Sequence, residues 1–412
     1  MHASLSPTVP ASLDVLGVPG QVNLDYAATA PCAQVAADAV AELLPSYASV
    51  HRGAGMLSQH CTEAYERARR TVATFLGCRA DDHVVFTRNT TDALNLLATA
   101  LPPDAMVVTL AGEHHANLLP WRRAARLPVP DSPGGAVRAV DAALRGLRRA
   151  GHTSSILVAV TGASNVTGEV LPIAALARVA HRHSARIAVD AAQLAPHQPI
   201  DIDALDVDYV ALSGHKLYAP FGAGVLAGRS DWLDAAPPYL AGGGATVHVG
   251  DATHDVTYAV GPARHEAGTP NLLGAVALAA VCQALHSADR AALAAHEQAL
   301  LARLRDGLAA LPDVAELRMF EPDATRVGIV SFAVAGHDSA AVARYLAREH
   351  GINVRDGLFC AHPLVRRLLH EAATRLGRPL PPAAVRASIG IGTTTEDIDR
   401  LVTALSGLIR SR

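Results

Sequence analysis

Short apolar segments alternate with helical patterns over the first two thirds of the chain, and this alternation restricts the fold more than any other feature. The apolar segments are continuous, and they lie at 84–87, 106–110, 156–160, 187–189, 209–212 and 224–227. Helical patterns separate most of them, at 91–99, 136–149 and 173–183. Strands that are apolar on both faces are typical of a mostly parallel sheet that helices cover on both sides. We therefore predict an α/β fold for this region.

After about residue 271 the pattern changes to long helices rich in Ala and Leu. The predicted helices are 274–285, 290–311, 339–349 and 395–409, and the predicted strands are 328–333 and 385–390. This pattern indicates a second, smaller α+β domain, which fits a length of 412 residues. We predict a large domain at 21–272 and a small domain at 273–412, and we expect the N-terminal segment 1–20 to pack on the small domain.

Composition argues against several classes of protein. The net charge of −3 gives no basic footprint for nucleic acid. The most apolar segment, 272–285, is too short to span a bilayer and is typical of a buried helix. No CxxC pair occurs, which favours reduced thiols in the cytoplasm over a disulfide framework or a zinc site. The scattered cysteines are Cys32, Cys61, Cys78, Cys282 and Cys360.

Lys216 is the only lysine among the 35 Lys and Arg residues of the chain. It ends the polar stretch 213–216, which directly follows the apolar segment 209–212. The guanidinium of arginine stays protonated, whereas a partly buried lysine lowers its pKa readily and can act as an amine nucleophile. A surface lysine retained by chance would give the same composition, so the neighbouring residues must separate the two interpretations.

Polar residues follow several predicted strands, at the edge where open parallel sheets bind their ligands. Asp190 follows the segment 187–189, and a carboxylate that is buried there needs a partner. Thr90 and Thr91 stand where a helix starts, so they could bind a phosphate, although an ordinary N-cap has the same sequence. The other polar residues at this edge are His114, Asn165, Gln193, Ser213 and His215.

Together these side chains match the groups of one ligand, a phosphorylated pyridine aldehyde. Asp190 can pair with a protonated ring nitrogen, Lys216 can bind the aldehyde, and His114 can cover one face of the ring. Candidate donors to the phosphate are Thr90, Thr91, Ser213 and His215, and candidate donors to the phenolic oxygen are Gln193 and Asn165. Each signal is weak alone, but the combination predicts pyridoxal phosphate as the cofactor.

Two motifs carry a resemblance to a known family. The stretches 189–193 (Val-Asp-Ala-Ala-Gln) and 213–224 (Ser-Gly-His-Lys-Leu-Tyr-Ala-Pro-Phe-Gly-Ala-Gly) resemble those of the class V aminotransferase superfamily of fold-type I pyridoxal-phosphate enzymes. Within it the chain is most similar to group II cysteine desulfurases and selenocysteine lyases. Further matching segments are 23–28, 49–53, 90–95, 113–117, 266–271 and 386–388. The resemblance implies a large domain with a mostly parallel seven-stranded sheet and a smaller α+β C-terminal domain.

The resemblance also implies roles for individual residues. Lys216 would hold the cofactor as a Schiff base, Asp190 would pair with the pyridinium nitrogen, and His114 would stack on the ring. Arg386 would bind the substrate α-carboxylate as a bidentate clamp. Phosphate contacts would come from Thr91, Ser213 and His215, and in a homodimer from Thr269 of the neighbouring subunit. Residues beside the substrate would be Ala28, Asn165 and Arg355.

Segment 354–364 lies where desulfurases of this kind carry a nucleophilic cysteine, and Cys360 falls on that position. The implied reaction is attack of its thiolate on the sulfur of L-cysteine, which leaves a protein persulfide and alanine, and a further protein could accept the sulfur. The chain departs from the family pattern at Leu358 and Phe359, which replace the usual histidines, and in a longer insertion at 365–384. Packing in the core is an alternative role for Cys360, because free cysteine is often buried.

Two functions from different reaction classes follow. In the first, a cysteine-desulfurase-like enzyme uses Lys216 for imine and proton transfer and Cys360 for sulfur capture. In the second, the protein is another class V enzyme, such as an aminotransferase, an epimerase or a C–S lyase of specialised metabolism, and Cys360 is not catalytic. A cofactor-free scaffold is a third interpretation, which the combination of Asp190, His215 and Lys216 disfavours. We expect no metal, no nucleic acid and no membrane as partners.

Overall fold

The computed structural model of the chain describes residues 13–252 and 254–411. The strands of this part are β1 (Val22–Asn23), β2 (Asp82–Thr87), β3 (Met106–Leu110), β4 (Ala124–Leu127), β5 (Ile156–Thr161), β6 (Arg186–Asp190), β7 (Tyr209–Ser213), β8 (Gly224–Arg229), β9 (Thr246–Val249), β10 (Val256–Tyr258), β11 (Val314–Glu316), β12 (Ile329–Val334), β13 (Ile352–Asn353), β14 (Arg355–Gly357) and β15 (Ala384–Ser388).

Helices pack on both faces of the central strands. The helices of the described residues are α1 (Gln34–Leu43), α2 (Met56–Phe75), α3 (Thr90–Ala100), α4 (His115–Leu118), α5 (Pro133–Arg149), α6 (Ile173–Arg182), α7 (Ser230–Ala235), α8 (Leu272–Ser287), α9 (Arg290–Ala309), α10 (Ser339–His350), α11 (His362–Leu376) and α12 (Thr395–Arg410). Short 3₁₀ turns occur at Leu44–Ser46 and Gly261–His265.

Seven strands form the central sheet, in the order β2-β8-β7-β6-β5-β3-β4. Five consecutive strands of this order, β7, β6, β5, β3 and β4, are parallel to one another, whereas β8 is antiparallel to both β7 and β2. The prediction of a mostly parallel seven-stranded sheet is therefore confirmed. The edge strand β4 was not predicted, because it is short and its residues alternate between exposed and half-buried positions.

Alternate residues of each central strand pack against different layers of helices. In β5, Val158 and Val160 share a core with Leu144 of α5 and Leu176 of α6. Leu157 of the same strand shares a core with residues of α3 on the opposite face. Because both faces of the strand are buried, its sequence is apolar without interruption, as the sequence pattern predicts.

A four-stranded antiparallel sheet, in the order β11-β12-β15-β14, forms the centre of the C-terminal region. Helices α9, α10 and α12 pack on it through residues such as Leu304, Leu346 and Leu401. β12 and β15 correspond to the two predicted strands. Sequence patterns did not predict β11, β13 and β14, which are two or three residues long.

The division of the chain into domains stays a prediction. Strand β1 pairs in parallel with β13, and Val22 and Leu24 pack in the core of the four-stranded sheet. The predicted N-terminal segment 1–20 includes residues 1–12, which lie outside the described residues.

The described residues include no single helix that is both long enough and apolar enough to cross a membrane. Helices α8 and α9 pass this test only as a pair, and the chain bends by 93° between them.

Gly228 in β8 provides a test of the sheet. Its φ is +145°, and a Cβ atom there would lie 2.0 Å from the carbonyl oxygen of Asp208. Gly228→Ala should therefore lower the free energy of unfolding by about 3 kcal/mol or more, measured by urea denaturation. Gly146→Ala is the matched control, because nothing lies within 4 Å of its added methyl group. It should leave stability unchanged or raise it by about 0.5–1 kcal/mol. Equal effects of the two changes would contradict the described sheet.

Candidate active site

A cavity of about 380 Å³ lies at the carboxyl ends of β5, β6 and β7, beside the start of α3. Its volume suits a small molecule. All but one of the predicted site residues line it: Ala28, Thr90, Thr91, His114, Asn165, Asp190, Gln193, Ser213, His215, Lys216, Arg355, Cys360 and Arg386. The exception is Thr269, which is exposed and lies outside the lining residues.

Lys216 lies three residues beyond the end of β7, and its side chain lines the cavity. Burial lowers the pKa of Lys216 to about 8, while the carboxylate of Asp190 opposes this shift and the guanidinium of Arg386 adds to it. A neutral amine is the nucleophilic form of lysine, so a lowered pKa makes Lys216 reactive toward an aldehyde near neutral pH.

Asp190 is buried at the end of β6, and its carboxylate has few partners. The backbone N–H of Ala192 donates to Oδ1 at 3.0 Å, and within the described residues Asp190 takes part in no ion pair. Burial raises its pKa, while the Ala192 hydrogen bond and the charge of Lys216 oppose the rise. A buried carboxylate requires a positive or donating partner, and the protonated nitrogen of a pyridine ring would supply one.

The start of α3 and the end of β7 form a compact cradle. The backbone N–H of Thr90 donates to Ser213 Oγ at 2.8 Å, and the two hydroxyl oxygens lie 2.7 Å apart. Gly224 permits this approach, because a Cβ atom there would lie 2.5 Å from the Cα of Asn89. The positive end of the helix dipole favours an anion at such a position. The cradle therefore fits a phosphate group.

His114 caps α4, with its ring exposed to the cavity. The N–H of Ala116 donates to its Nδ1 at 3.1 Å, so the proton of the neutral imidazole lies on Nε2. Burial, and next the charge of Lys216, lowers the pKa of His114 to about 4. The same two causes lower the pKa of His215 to about 4, and its Nδ1 lies 3.0 Å from Thr29 Oγ1. Both rings are therefore uncharged at neutral pH.

The two predicted donors to the phenolic oxygen already have backbone partners. Gln193 Nε2 donates to the carbonyl of Ala27 at 2.8 Å, and Asn165 Nδ2 donates to the carbonyl of Phe359 at 2.7 Å. Each amide nitrogen carries a second hydrogen, so each can still donate to a ligand. Their predicted role stays a prediction.

Arg386 in β15 is held in place but is incompletely satisfied. Its Nη1 donates to the carbonyl of Asn165 at 2.9 Å, and its Nη2 lies 3.3 Å from Asp25 Oδ1. The buried Nε has no hydrogen-bond partner among the described residues, and the ring of Phe359 lies 5.0 Å from the guanidinium carbon. An unsatisfied buried donor of arginine suits a carboxylate ligand. Arg355 lies opposite Arg386 in the sheet register and is exposed.

Cys360 is exposed, so a packing role in the core is wrong for it. Phe359 and Cys360 have φ angles of 49° and 53°, a left-handed conformation that is uncommon outside glycine. Two hydrogen bonds to main-chain carbonyls hold this turn, from Asn165 Nδ2 to Phe359 and from the N–H of His115 to Cys360 at 2.8 Å. The thiol therefore projects from a fixed turn beside Lys216 and Arg386.

Sequence reasoning missed two features around this turn. The ring centroids of His115 and His362 lie 4.6 Å apart in an edge-to-face contact. The position of His362, two residues after Cys360, was the available signal. The insertion 365–384 contributes most of α11, which packs through Leu364, Val365 and Leu368 against Phe359.

The second cavity of the described chain has few side chains that could take part in catalysis. A depression of about 500 Å³ lies near the start of β3, and alanine and proline make up most of its lining. Its charged residues are the exposed Arg122 and Arg123. No group of three or more His, Cys, Asp or Glu side chains within the described ranges is arranged to hold a metal ion.

The fold and this site define an enzyme of the class V aminotransferase type. The sequence pattern of the aminotransferase class-V family matches residues 22–401, and the chain belongs to that family. Among its relatives, the cysteine desulfurase of Dickeya dadantii is 38% identical over 89% of this chain and 86% of its own length. The cysteine desulfurase of an Enterobacter species is 36% identical over 95% and 94% of the two chains.

Solved structures agree with the sequence relatives. The cysteine desulfurase CsdA of Escherichia coli superposes with a TM-score of 0.78 at 32% identity, over 95% of each chain. The cysteine desulfurase of Thermococcus onnurineus superposes with a TM-score of 0.82 at 30% identity, also over 95% of each chain. The predicted membership of the class V superfamily, near the cysteine desulfurases, is confirmed.

The pKa of Lys216 gives a test of the site. In the cofactor-free protein, its rate of reductive alkylation by a small aldehyde should reach half of its plateau near pH 8, rather than near the ordinary value of 10.5. Asp190→Asn should move this midpoint lower, because the negative charge of Asp190 favours the protonated amine. Lys216→Arg is the unreactive control. A midpoint that Asp190→Asn raises, or leaves near 10.5, would contradict the described electrostatics.

Proposed function

We propose that the protein is a pyridoxal-phosphate-dependent cysteine desulfurase that removes sulfur from L-cysteine or a close derivative and captures it on Cys360. One observation carries the proposal: the exposed Cys360 thiol lines the same cavity as Lys216, Asp190 and Arg386. The relatives that cover nearly the whole chain are named cysteine desulfurases, which supports the same reaction.

Pyridoxal phosphate is the cofactor that the family implies, and the residues of the cavity fit it. Asp190 would hold the ring nitrogen, His114 would lie on the ring, and the start of α3 with Ser213 and His215 would hold the phosphate. When bound, the cofactor supplies an electron sink that weakens the bonds next to the substrate amino nitrogen. Lys216 would hold the aldehyde in the resting enzyme and then move a proton at the substrate Cα through Nζ.

Arg386 would orient the substrate through its α-carboxylate. Its buried Nε lacks a partner among the described residues, and Asn165 and Asp25 fix the orientation of the guanidinium. A fixed arginine fork binds a carboxylate in two places and so aligns the rest of the amino acid. With the carboxylate held there, the substrate side chain can extend toward Cys360.

Cys360 would accept the sulfur as a thiolate. Its Sγ attacks the substrate sulfur, so an S–S bond forms while the C–S bond breaks and its electron pair remains on carbon. A proton then completes the methyl group of alanine, and the protein keeps the persulfide. The substrate carbon is reduced as the sulfur is oxidised, so no external oxidant is needed. Lys216 and Arg386 lie within electrostatic reach of Cys360.

The remaining predictions concern partners and location. We propose a homodimer in which Thr269 reaches the phosphate of the neighbouring subunit, and its exposure outside the cavity is compatible with this role. We also propose a protein that accepts the persulfide sulfur, and a cytoplasmic location, which the absence of a CxxC pair favours.

The alternative, another class V enzyme with an incidental Cys360, rests on a feature of the same turn. Phe359 stands where the family has a histidine, and it is buried against α11 beneath the Arg386 guanidinium. The turn is thus shaped partly by packing. Replacement of Cys360 separates the two functions.

Cys360→Ala should reduce sulfide release from L-cysteine, with a thiol reductant present, by at least roughly 1000-fold, because the nucleophile is lost. The visible absorbance of the bound cofactor should be unchanged, since Lys216 and Asp190 are intact. Cys32→Ala is the matched control, because Cys32 lies outside the cavity lining, and it should keep full activity. Retained sulfide release in Cys360→Ala, or no reaction with L-cysteine in the wild type, would favour the alternative function.

Arg386→Lys should raise the KM for L-cysteine by roughly 10- to 100-fold, with a smaller effect on kcat, because lysine cannot reproduce the two-point contact with the carboxylate. Steady-state kinetics would measure both constants, and cysteamine, which lacks the carboxylate, serves as a comparison substrate. A change that affects kcat alone would show that Arg386 does not bind the carboxylate.

A further inference from the structure

Glu113 is a buried carboxyl group behind the proposed cofactor site, and sequence reasoning gave it no role. It is 1% exposed, and it directly precedes His114, whose ring lines the cavity. Its position is unusual, because glutamate is almost never fully buried unless it is paired. Glu169 illustrates the ordinary case: it is equally buried, but Arg326 pairs with it at 2.8 Å.

The partners of Glu113 are neutral. Asn117 Nδ2 donates to its Oε2 at 2.8 Å, and the backbone of Thr161 provides a second hydrogen bond. Among the ion pairs of the described residues, none involves Glu113. An amide side chain can turn either its N–H or its oxygen toward a carboxyl group, so Asn117 can serve a neutral acid as well as a carboxylate.

The nearest charged group makes ionisation of Glu113 less favourable still. Thr161 ends β5 and stands opposite Asp190 in the register of β5 and β6. Glu113 therefore lies within electrostatic reach of the Asp190 carboxylate, and the other titratable group beside it is His114, which is uncharged near neutral pH. Burial, with a smaller contribution from Asp190, raises the pKa of Glu113 to about 8.

Glu113 is also connected to the position of the His114 ring. The side chain of Asn117 joins Glu113, and its backbone N–H donates to the carbonyl of His114 at 2.8 Å. Trp121 Nε1 donates to the carbonyl of Asn117 at 2.8 Å and so holds the other side of the turn. A substitution at Glu113 would thus affect the position of His114 through Asn117, which hydrogen-bonds to both residues.

We propose that Glu113 is a positioning residue that stays a neutral carboxylic acid in the resting protein, where it anchors the turn of His114 and leaves Asp190 as the one negative charge behind the cofactor ring. The inference rests on the proposed cofactor site, but it concerns a proton that the protein holds before any substrate arrives. A neutral acid in this place preserves the hydrogen bond to Asn117 without a second anion competing for the positive charges of the site.

Infrared difference spectra of the wild type and Glu113→Gln, recorded at pH 7 without cofactor, test the protonation state directly. The wild type should show the carbonyl band of a protonated carboxylic acid that the variant lacks. A difference in carboxylate bands alone would overturn the proposal. Glu169→Gln is the matched control: because Arg326 pairs with Glu169, its difference spectrum should contain carboxylate bands only. Should Glu113→Gln not fold, Glu113→Met replaces it as a variant of similar volume.

The pH dependence of unfolding gives a second test that needs no enzymatic activity. The unfolded chain releases the Glu113 proton near the ordinary value of 4.5, but the folded protein keeps it up to about 8. Across this window the wild type should lose stability relative to Glu113→Gln, by up to about tenfold in the folding equilibrium constant per pH unit. If the ratio of the two folding equilibrium constants, wild type to Glu113→Gln, were constant from pH 5 to pH 8, the proposal would be overturned.

The holoenzyme provides the third readout, which links Glu113 to the cofactor site. Over the pH range below 8, the absorbance titration of the bound cofactor should have the same midpoint in the wild type and in Glu113→Gln. The reason is that the side chain at position 113 is neutral in both proteins. A midpoint that the variant lowers would mean that Glu113 is ionised, and this result would overturn the proposal. Neither the spectra nor the titration requires that L-cysteine is the substrate, so failure of the proposed function leaves these outcomes unchanged.

Discussion

The burial of two groups of opposite charge, Asp190 and Lys216, in one cavity is the constraint on which the rest of the site depends. Asp190 is buried with one backbone hydrogen bond in the described chain, and its pKa is raised, while Lys216 has a lowered pKa near 8. Each group is costly to keep charged alone in a buried cavity. A cationic ring beside Asp190, with its aldehyde bound to Lys216, would relieve both costs at once. The same ligand would explain why a chain so rich in arginine retains this one lysine.

The geometry of the sheet explains why these groups meet. Parallel strands bring their carboxyl ends to one edge, so the residues after β5, β6 and β7 converge, although they are far apart in sequence. The four-stranded sheet of the C-terminal region contributes further residues to the cavity. β15 carries Arg386, and the turn after β14 carries Cys360. In the proposed function, the parallel sheet would hold the cofactor and the C-terminal region would hold the substrate.

Much of this arrangement could be predicted from the sequence, because its signals are local. Continuous apolar segments gave six of the seven central strands, and polar residues directly after them gave Asp190 and Lys216. The exposed edge strand β4 escaped prediction because its side chains alternate and nothing marks it as apolar. The contacts of Arg386 with Asn165 and Phe359 also escaped, since they join residues more than twenty positions apart through packing. Glu113 was missed for a physical reason: glutamate is ordinarily a surface residue, and its burial follows only from how β5 and α4 pack.

The most direct measurement of the central claim is reduction of the cofactor-loaded protein with borohydride, followed by peptide mapping. The account predicts that the reduced cofactor is found on the peptide that contains Lys216, and that Asp190→Asn weakens retention of the cofactor before reduction without moving the label. A label on any other peptide, or none on the peptide of Lys216, would contradict the roles that we assign to both residues.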